Sequence, residues 1–280
     1  MAGNREYKSD VFGMLCEEPE YALEVYNALN QSDYRDPHLV EVCNLERGIS
    51  LSVRNDAAFI LDMNLSVYEH ESTICPNMPL RELIYVTNIL EQWVKKQNIY
   101  GRKLVKIPTP RFAVFYNGME EQPEQYQQKL SDAYANPMEK PELELTCTVY
   151  NINSGMNSKL LSKCPVLEQY MTFVDYVREE LEMHPEKDLA KAINEAIDRC
   201  IEEGVLQEFL TKRREEVTKV TQLDYTFDRR IELEREAARE EALAEERVNT
   251  ERERKAKEEA EMEVQRLRAE LEQYKKRFSE

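Results

Sequence analysis

The stretch Asn55–Tyr85, NDAAFILDMNLSVYEHESTICPNMPLRELIY, joins two segments of different period. Met63, Leu65 and Val67 fall two apart, as do Ile49, Leu51 and Val53 just upstream. That is the spacing of strands with one buried face. The expectation is a hairpin or meander over Ile49–Ala58 and Leu61–Ser72, with FILDMN bending between them. TICPNMPLR carries two prolines and an asparagine and reads as a loop. Past Pro79, the residues Leu83, Val86, Ile89, Leu90, Trp93 and Val94 share one stripe of an amphipathic helix, and Lys95 and Lys96 suit its C-terminal end.

Working outward, Ser9–Asn30 reads as two short helices interrupted by Gly13 and Pro19, with Pro19 in the first turn of the second. QSDYRDPH is a loop, and Leu39–Leu45 a short strand or turn. Arg111–Tyr116 is a nearly continuous apolar run ended by Asn117-Gly118, as in a central strand, and Leu143–Ile152 alternates. The intervening residues 119–141 are polar. Leu160–Glu182 and Asp188–Glu203 read as helices, the second closed by Gly204, and Val205–Val220 as a further one. The sum is an α/β (α+β) fold: a central mixed sheet flanked by helices over residues 1–158, a helical region over 159–226 and a charged helical tail over 227–280. In that tail Val264, Leu267, Leu271, Tyr274 and Phe278 form a short heptad seam, which suits a homodimer through residues 227–280 or a solvated arm.

A chain of 280 residues accommodates one sizeable domain plus an extension, since single cores rarely grow past roughly 250 residues. The formal net charge of −17 excludes a surface that binds polyanions throughout, so any DNA contact must be local and assisted by cations. Lys103, Lys106 and Arg111 are candidates for such a local basic surface. Six scattered cysteines show no CxxC pair and no metal-ligand spacing, which suits reduced thiols. No apolar run approaches the roughly 18 residues of a membrane span, so a cytoplasmic protein with no membrane partner is expected.

Chemistry concentrates in three acids. Residues i and i+2 of a strand face the same way, so Glu69 and Glu71 point together and His70 points to the other face. With Asp56 they form a candidate pocket of three carboxylates, the oxygen set that a hard cation such as Mg²⁺ or Mn²⁺ takes. Arg81 and Tyr85, four apart on the following helix, offer a phosphate contact and a positioning hydroxyl.

The residues VRNDAAF (53–59), YEHES (68–72), PNMPLRELIY (76–85) and IPTPRFAVFYNG (107–118) resemble the Rpn recombination-promoting nucleases, the PD-(D/E)XK nuclease family transposases. That family's pattern has Asn-Asp, then Glu-His-Gln-Ser, then Asn-Met-Pro-Leu-Arg followed by Tyr. FGMLCEEPEYALEVYNALN, DYRDP and NEAIDRCIEEGVLQEFLTKRREEV extend the resemblance over roughly residues 8–225. It implies a restriction-endonuclease-like core and a magnesium- or manganese-dependent DNA endonuclease linked to recombination or mobile elements. Asp56 and Glu69 would be metal-binding acids, with Glu71 beside them; Arg81, Tyr85 and Arg111 would contact substrate. Glu71 is a departure: the family usually has Gln there and classical relatives Lys, both hydrogen-bond donors, whereas an ionised Glu only accepts. The alternative is a catalytically degenerate nuclease fold serving as a binding or assembly module through its tail.

Overall fold

A computed structural model describes residues 6–43, 56–184 and 188–219. The chain divides into two units, residues 1–222 and 223–280. The predicted tail helix with its heptad seam, and the first predicted strand up to residue 55, lie outside the described residues.

One six-stranded mixed sheet has the order β1-β2-β3-β4-β6-β5. Its strands are β1 (Glu41–Val42), β2 (Ala57–Leu61), β3 (Asn64–Glu71), β4 (Thr109–Tyr116), β5 (Gln125–Lys129) and β6 (Thr146–Asn151). β2 and β3 form the predicted hairpin, pairing Ala57 with Tyr68 and Leu61 with Asn64. Its bend is shorter than FILDMN. Every residue of β2 is buried, so Phe59, Ile60 and Leu61 belong to the strand, and the turn is Asp62-Met63, both at positive φ (46° and 58°).

Helix α3 (Met78–Val94) then crosses over to β4, which runs parallel to β3 and sets Glu69 opposite Val114 and Glu71 opposite Tyr116. β6 is parallel to β4, and β5 closes the edge antiparallel to β6. β5 lies within the stretch read only as polar. Its sequence QYQQK alternates only between exposed and half-buried positions, so it carries no apolar signal.

The other helices are α1 (Glu6–Cys16), α2 (Pro19–Asn30), α4 (Ser158–Leu161), α5 (Pro165–Met183), α6 (Leu189–Glu203) and α7 over residues 207–219. The helix predicted over Leu160–Glu182 is two, because Pro165 has no N–H to continue α4 but suits the first turn of α5. Asp188 caps α6 by accepting from the Lys191 N–H (2.9 Å), and Gly204 closes it at φ 76°.

The sheet separates two packed layers. Phe59, Leu61, Tyr68, Ala113 and Phe115 face a core with Phe12, Leu23, Tyr170, Phe173, Ile193, Phe209 and Val217 from α1, α2, α5, α6 and α7. The described helices between residues 159 and 219 therefore share the core of the sheet. On the opposite face Ala58, Ile60, Leu65 and Val67 pack on Tyr85, Val86 and Ile89 of α3, while Met78 meets Val114, Tyr116, Cys147 and Val149. No described helix is long and apolar enough to cross a membrane.

Two contacts fix α1 against the sheet. Lys8 Nζ donates to the carbonyl and side-chain oxygens of buried Asn117 at the end of β4 (3.2 and 3.1 Å), and Arg178 of α5 donates to the same two atoms. Gly13 does not interrupt α1. A Cβ there would stand 2.7 Å from the Asp56 carbonyl oxygen, so the missing side chain is what lets the helix touch the segment that carries Asp56. Gly13→Ala would ordinarily stabilise a helix by about 0.5–1 kcal/mol. Here it is expected to destabilise by about 1–3 kcal/mol through overpacking, read as a lower urea midpoint at unchanged m-value.

Candidate functional site

The site occupies the end of β3 and the first turns of α3. Strand alternation sends Glu69 and Glu71 to the α3 face, with side chains 1% and 11% exposed. It sends His70 the other way, between the rings of Phe12 and Tyr170 (centroids 5.9 and 5.6 Å). Neither His70 ring nitrogen has a hydrogen-bond partner, and burial, reinforced by Lys8 and Arg178, lowers its pKa to about 3, so the ring is neutral.

Asp56, just ahead of β2, is held from both α1 and β3. Its carboxylate accepts from the Ser9 hydroxyl of α1 and from the His70 N–H (2.7 Å), and its own N–H donates to Glu69 Oε1 (3.1 Å). The hairpin thus brings together two acids that are 13 residues apart in sequence.

Arg81 reaches in from α3. Nη2 donates to Glu69 Oε2 (2.8 Å), Nη1 to Glu71 Oε1 (3.1 Å), and Nε to the Tyr85 hydroxyl (3.1 Å). One guanidinium thereby spans both strand acids while its flank is fixed by the residue one turn on, with its centre 5.9 Å from the Tyr85 ring. Arg81 remains 40% exposed, far more than Glu69 or Glu71.

A fourth acid, Glu82, was not anticipated. It is fully buried on α3, and neither carboxyl oxygen has a hydrogen-bond partner. A signal was present: Glu82 precedes Tyr85, Val86 and Ile89 by three, four and seven residues, the spacing of the stripe that faces the sheet. Ser9, the partner of Asp56 from α1, carried no comparable signal.

Arg81 is the cation that acts on Glu69, Glu71 and Glu82. Burial raises the Glu69 pKa well above the usual carboxylate range; Asp56 and Glu82 add to this and Arg81 opposes it. Glu71 rises to about 7 through burial, again opposed by Arg81. Glu82 is raised well above its ordinary value, mainly by burial. Having neither partner nor solvent, Glu82 is the acid that keeps its proton, because an unpaired neutral carboxyl costs about 1–3 kcal/mol and a buried unpaired charge far more.

Arg111 does not join this group. It pairs with Ser66, and strand parity puts it with Ala113 and Phe115 on the face of α1 and α2, where its charge acts on Tyr26. Lys103 and Lys106 lie in the loop between α3 and β4, at the end of α3 remote from Arg81. A cavity of about 280 Å³ lined by Tyr21, Glu24, Val166 and Gln169 is elsewhere, among α2, α5 and α7. As the side chains stand, no group of three or more His, Cys, Asp or Glu among the described residues is arranged to hold a metal ion. Compared with family models, curated proteins and solved structures, the chain matches none.

The raised carboxyls set a pH dependence. Between about pH 4.5 and 7 the folded chain retains a proton on Glu71 that the unfolded chain has released, so this group makes stability fall as pH rises through that window. Glu82 acts in the same direction from pH 4.5 upward. Glu82→Gln, which removes the titration and keeps the shape, is expected to raise the melting temperature at pH 8 by about 4 °C and to flatten its fall between about pH 5 and pH 8. Thermal unfolding followed by circular dichroism reads both effects, since each kcal/mol moves such a domain by roughly 2–4 °C.

Proposed function

We propose that the chain is a metal-dependent endonuclease of the PD-(D/E)XK type that hydrolyses DNA phosphodiesters, and that it belongs with the Rpn nucleases it resembles. The observation that carries this reading is the Asp56–Glu69 contact across the hairpin, with Glu71 on the same strand face and Arg81 beside them. The order of elements supports it: a helix, an antiparallel hairpin, a crossover helix, and a strand parallel to the hairpin's second arm. A cytoplasmic location and pairing of copies through residues 227–280 belong to the same reading.

The donor set fits Mg²⁺ or Mn²⁺, because Asp56, Glu69 and Glu71 supply only hard oxygens on or beside one rigid strand. Such an ion would supply hydroxide at neutral pH and neutralise charge on the phosphate. Arg81 now satisfies Glu69 and Glu71 in its place. Being the exposed member of the cluster, Arg81 has room to turn towards a phosphate, where its planar fork matches two oxygens. Tyr85, holding Nε, keeps the guanidinium at the mouth of the site.

The same arginine favours a second reading. Arg81 already neutralises the strand acids, and Glu71 stands where a donor is usual, which is what a catalytically degenerate fold serving as a binding or assembly module would show. Nicking of supercoiled plasmid DNA separates the two. Purified protein with Mn²⁺ or Mg²⁺ is expected to nick, Asp56→Ala to reduce the rate at least about a hundredfold, and Glu71→Gln to reduce it as well. Equal nicking by Asp56→Ala would remove the assignment, and a gain with Glu71→Gln would favour the degenerate site.

A further inference from the structure

The most acidic feature of this protein is its overall charge, and one segment opposes it. Between Gln92 and Met119 there are six cations, Lys95, Lys96, Arg102, Lys103, Lys106 and Arg111, and no acid, in a chain of net charge −17. All six are exposed, and none forms an ion pair with another described residue. Five of them cluster on the end of α3 and the loop that follows. This loop is held in place: the Trp93 indole donates to the Lys106 carbonyl (3.4 Å), and the Asn98 side chain accepts the Tyr100 N–H (3.2 Å) in a tight turn closed by Gly101 N–H to Asn98 O (3.1 Å). The turn presents Tyr100 almost fully to solvent, 94% exposed, with Ile99, Leu104 and Ile107 also exposed between the cations.

We infer that this turn and the end of α3 bind single-stranded DNA, with Lys95, Lys96, Arg102, Lys103 and Lys106 on phosphates and Tyr100 stacking on a base. Charge complementarity argues for a polyanion, since these cations lack ion-pair partners among the described residues in a chain that otherwise repels one. An exposed aromatic among cations takes an unstacked base, which a duplex does not offer, and the acidic remainder of the surface penalises the denser charge of a duplex. Insertion into an anionic membrane fits less well, because the apolar side chains come one or two at a time between charges. The inference deepens the nuclease reading by naming the strand form of the substrate, and it rests on that reading for cleavage only. The surface begins about 20 Å along α3 from Arg81, so the two are separable by mutation.

The test is fluorescence anisotropy of a labelled single-stranded oligonucleotide with the full chain in EDTA, where hydrolysis is silent. Binding is expected to weaken with salt. The triple substitution Arg102→Gln, Lys103→Gln and Lys106→Gln should reduce the steepness of log affinity against log salt by about 2, at roughly 0.7 per phosphate contact. Tyr100→Ala should weaken binding about tenfold and leave that steepness unchanged. All four side chains are exposed, and unchanged melting temperatures verify the fold of the variants. No binding by the native chain, equal binding by both variants, or a preference for phosphatidylserine vesicles over the oligonucleotide overturns the inference. Patch-dependent binding without Mn²⁺-dependent cleavage of the same single-stranded oligonucleotide upholds it and sinks the nuclease reading; cleavage with no effect of either variant on binding does the reverse.

Discussion

Four carboxyls converge where β3 meets α3, and the Arg81 guanidinium is the cation placed among them. Its fork bridges Glu69 and Glu71, its flank is held by Tyr85, and burial, reinforced by Asp56 and Glu71 and opposed by Arg81, keeps a proton on Glu82. An isolated buried carboxylate would be strongly destabilising, so this part of the fold depends on the arginine staying or on another cation replacing it. Stability and chemistry are therefore linked through one side chain. What makes the acids tolerable in the folded chain also occupies the oxygens that a metal would need.

The surrounding fold positions those oxygens from three directions. The hairpin delivers Glu69 and Glu71 on one strand face, and the His70 N–H between them anchors Asp56. The crossover helix, required because β4 runs parallel to β3, delivers Arg81, Glu82 and Tyr85. Helix α1 completes the arrangement from the opposite layer, where Ser9 donates to Asp56 and Gly13 permits the close approach. None of these elements places Asp56 alone, which is why its environment joins residues of α1 to residues of β3.

Much of this arrangement was legible in the residues. The alternation around Leu65 and Val67 located β3, and with it the parity that separates Glu69 and Glu71 from His70. The stripe Val86, Ile89 located α3, and the spacing of Arg81 and Tyr85 anticipated their contact. Two features were not legible and a third only in part, each for a physical reason. β5 is an edge strand with no buried face to impose a pattern. The apolar residues Phe59–Leu61 looked like a bend because a strand covered on both faces does not alternate. Glu82 carries the spacing of the buried stripe, but its burial without a partner arises only from the packing of α3 over the sheet. Arg111, expected to contact substrate, stands on the other face of the sheet by strand parity, a separation that appears only once its register with Ser66 is known.

The central claim is that the cluster now closed by Arg81 is a divalent-cation site. Crystals grown with saturating Mn²⁺, with anomalous scattering recorded at the manganese edge, address it directly. The account predicts an anomalous peak ligated by Asp56 and Glu69, with Arg81 turned away from both strand acids. An intact Arg81 bridge to Glu69 and Glu71 with no peak between them would contradict it.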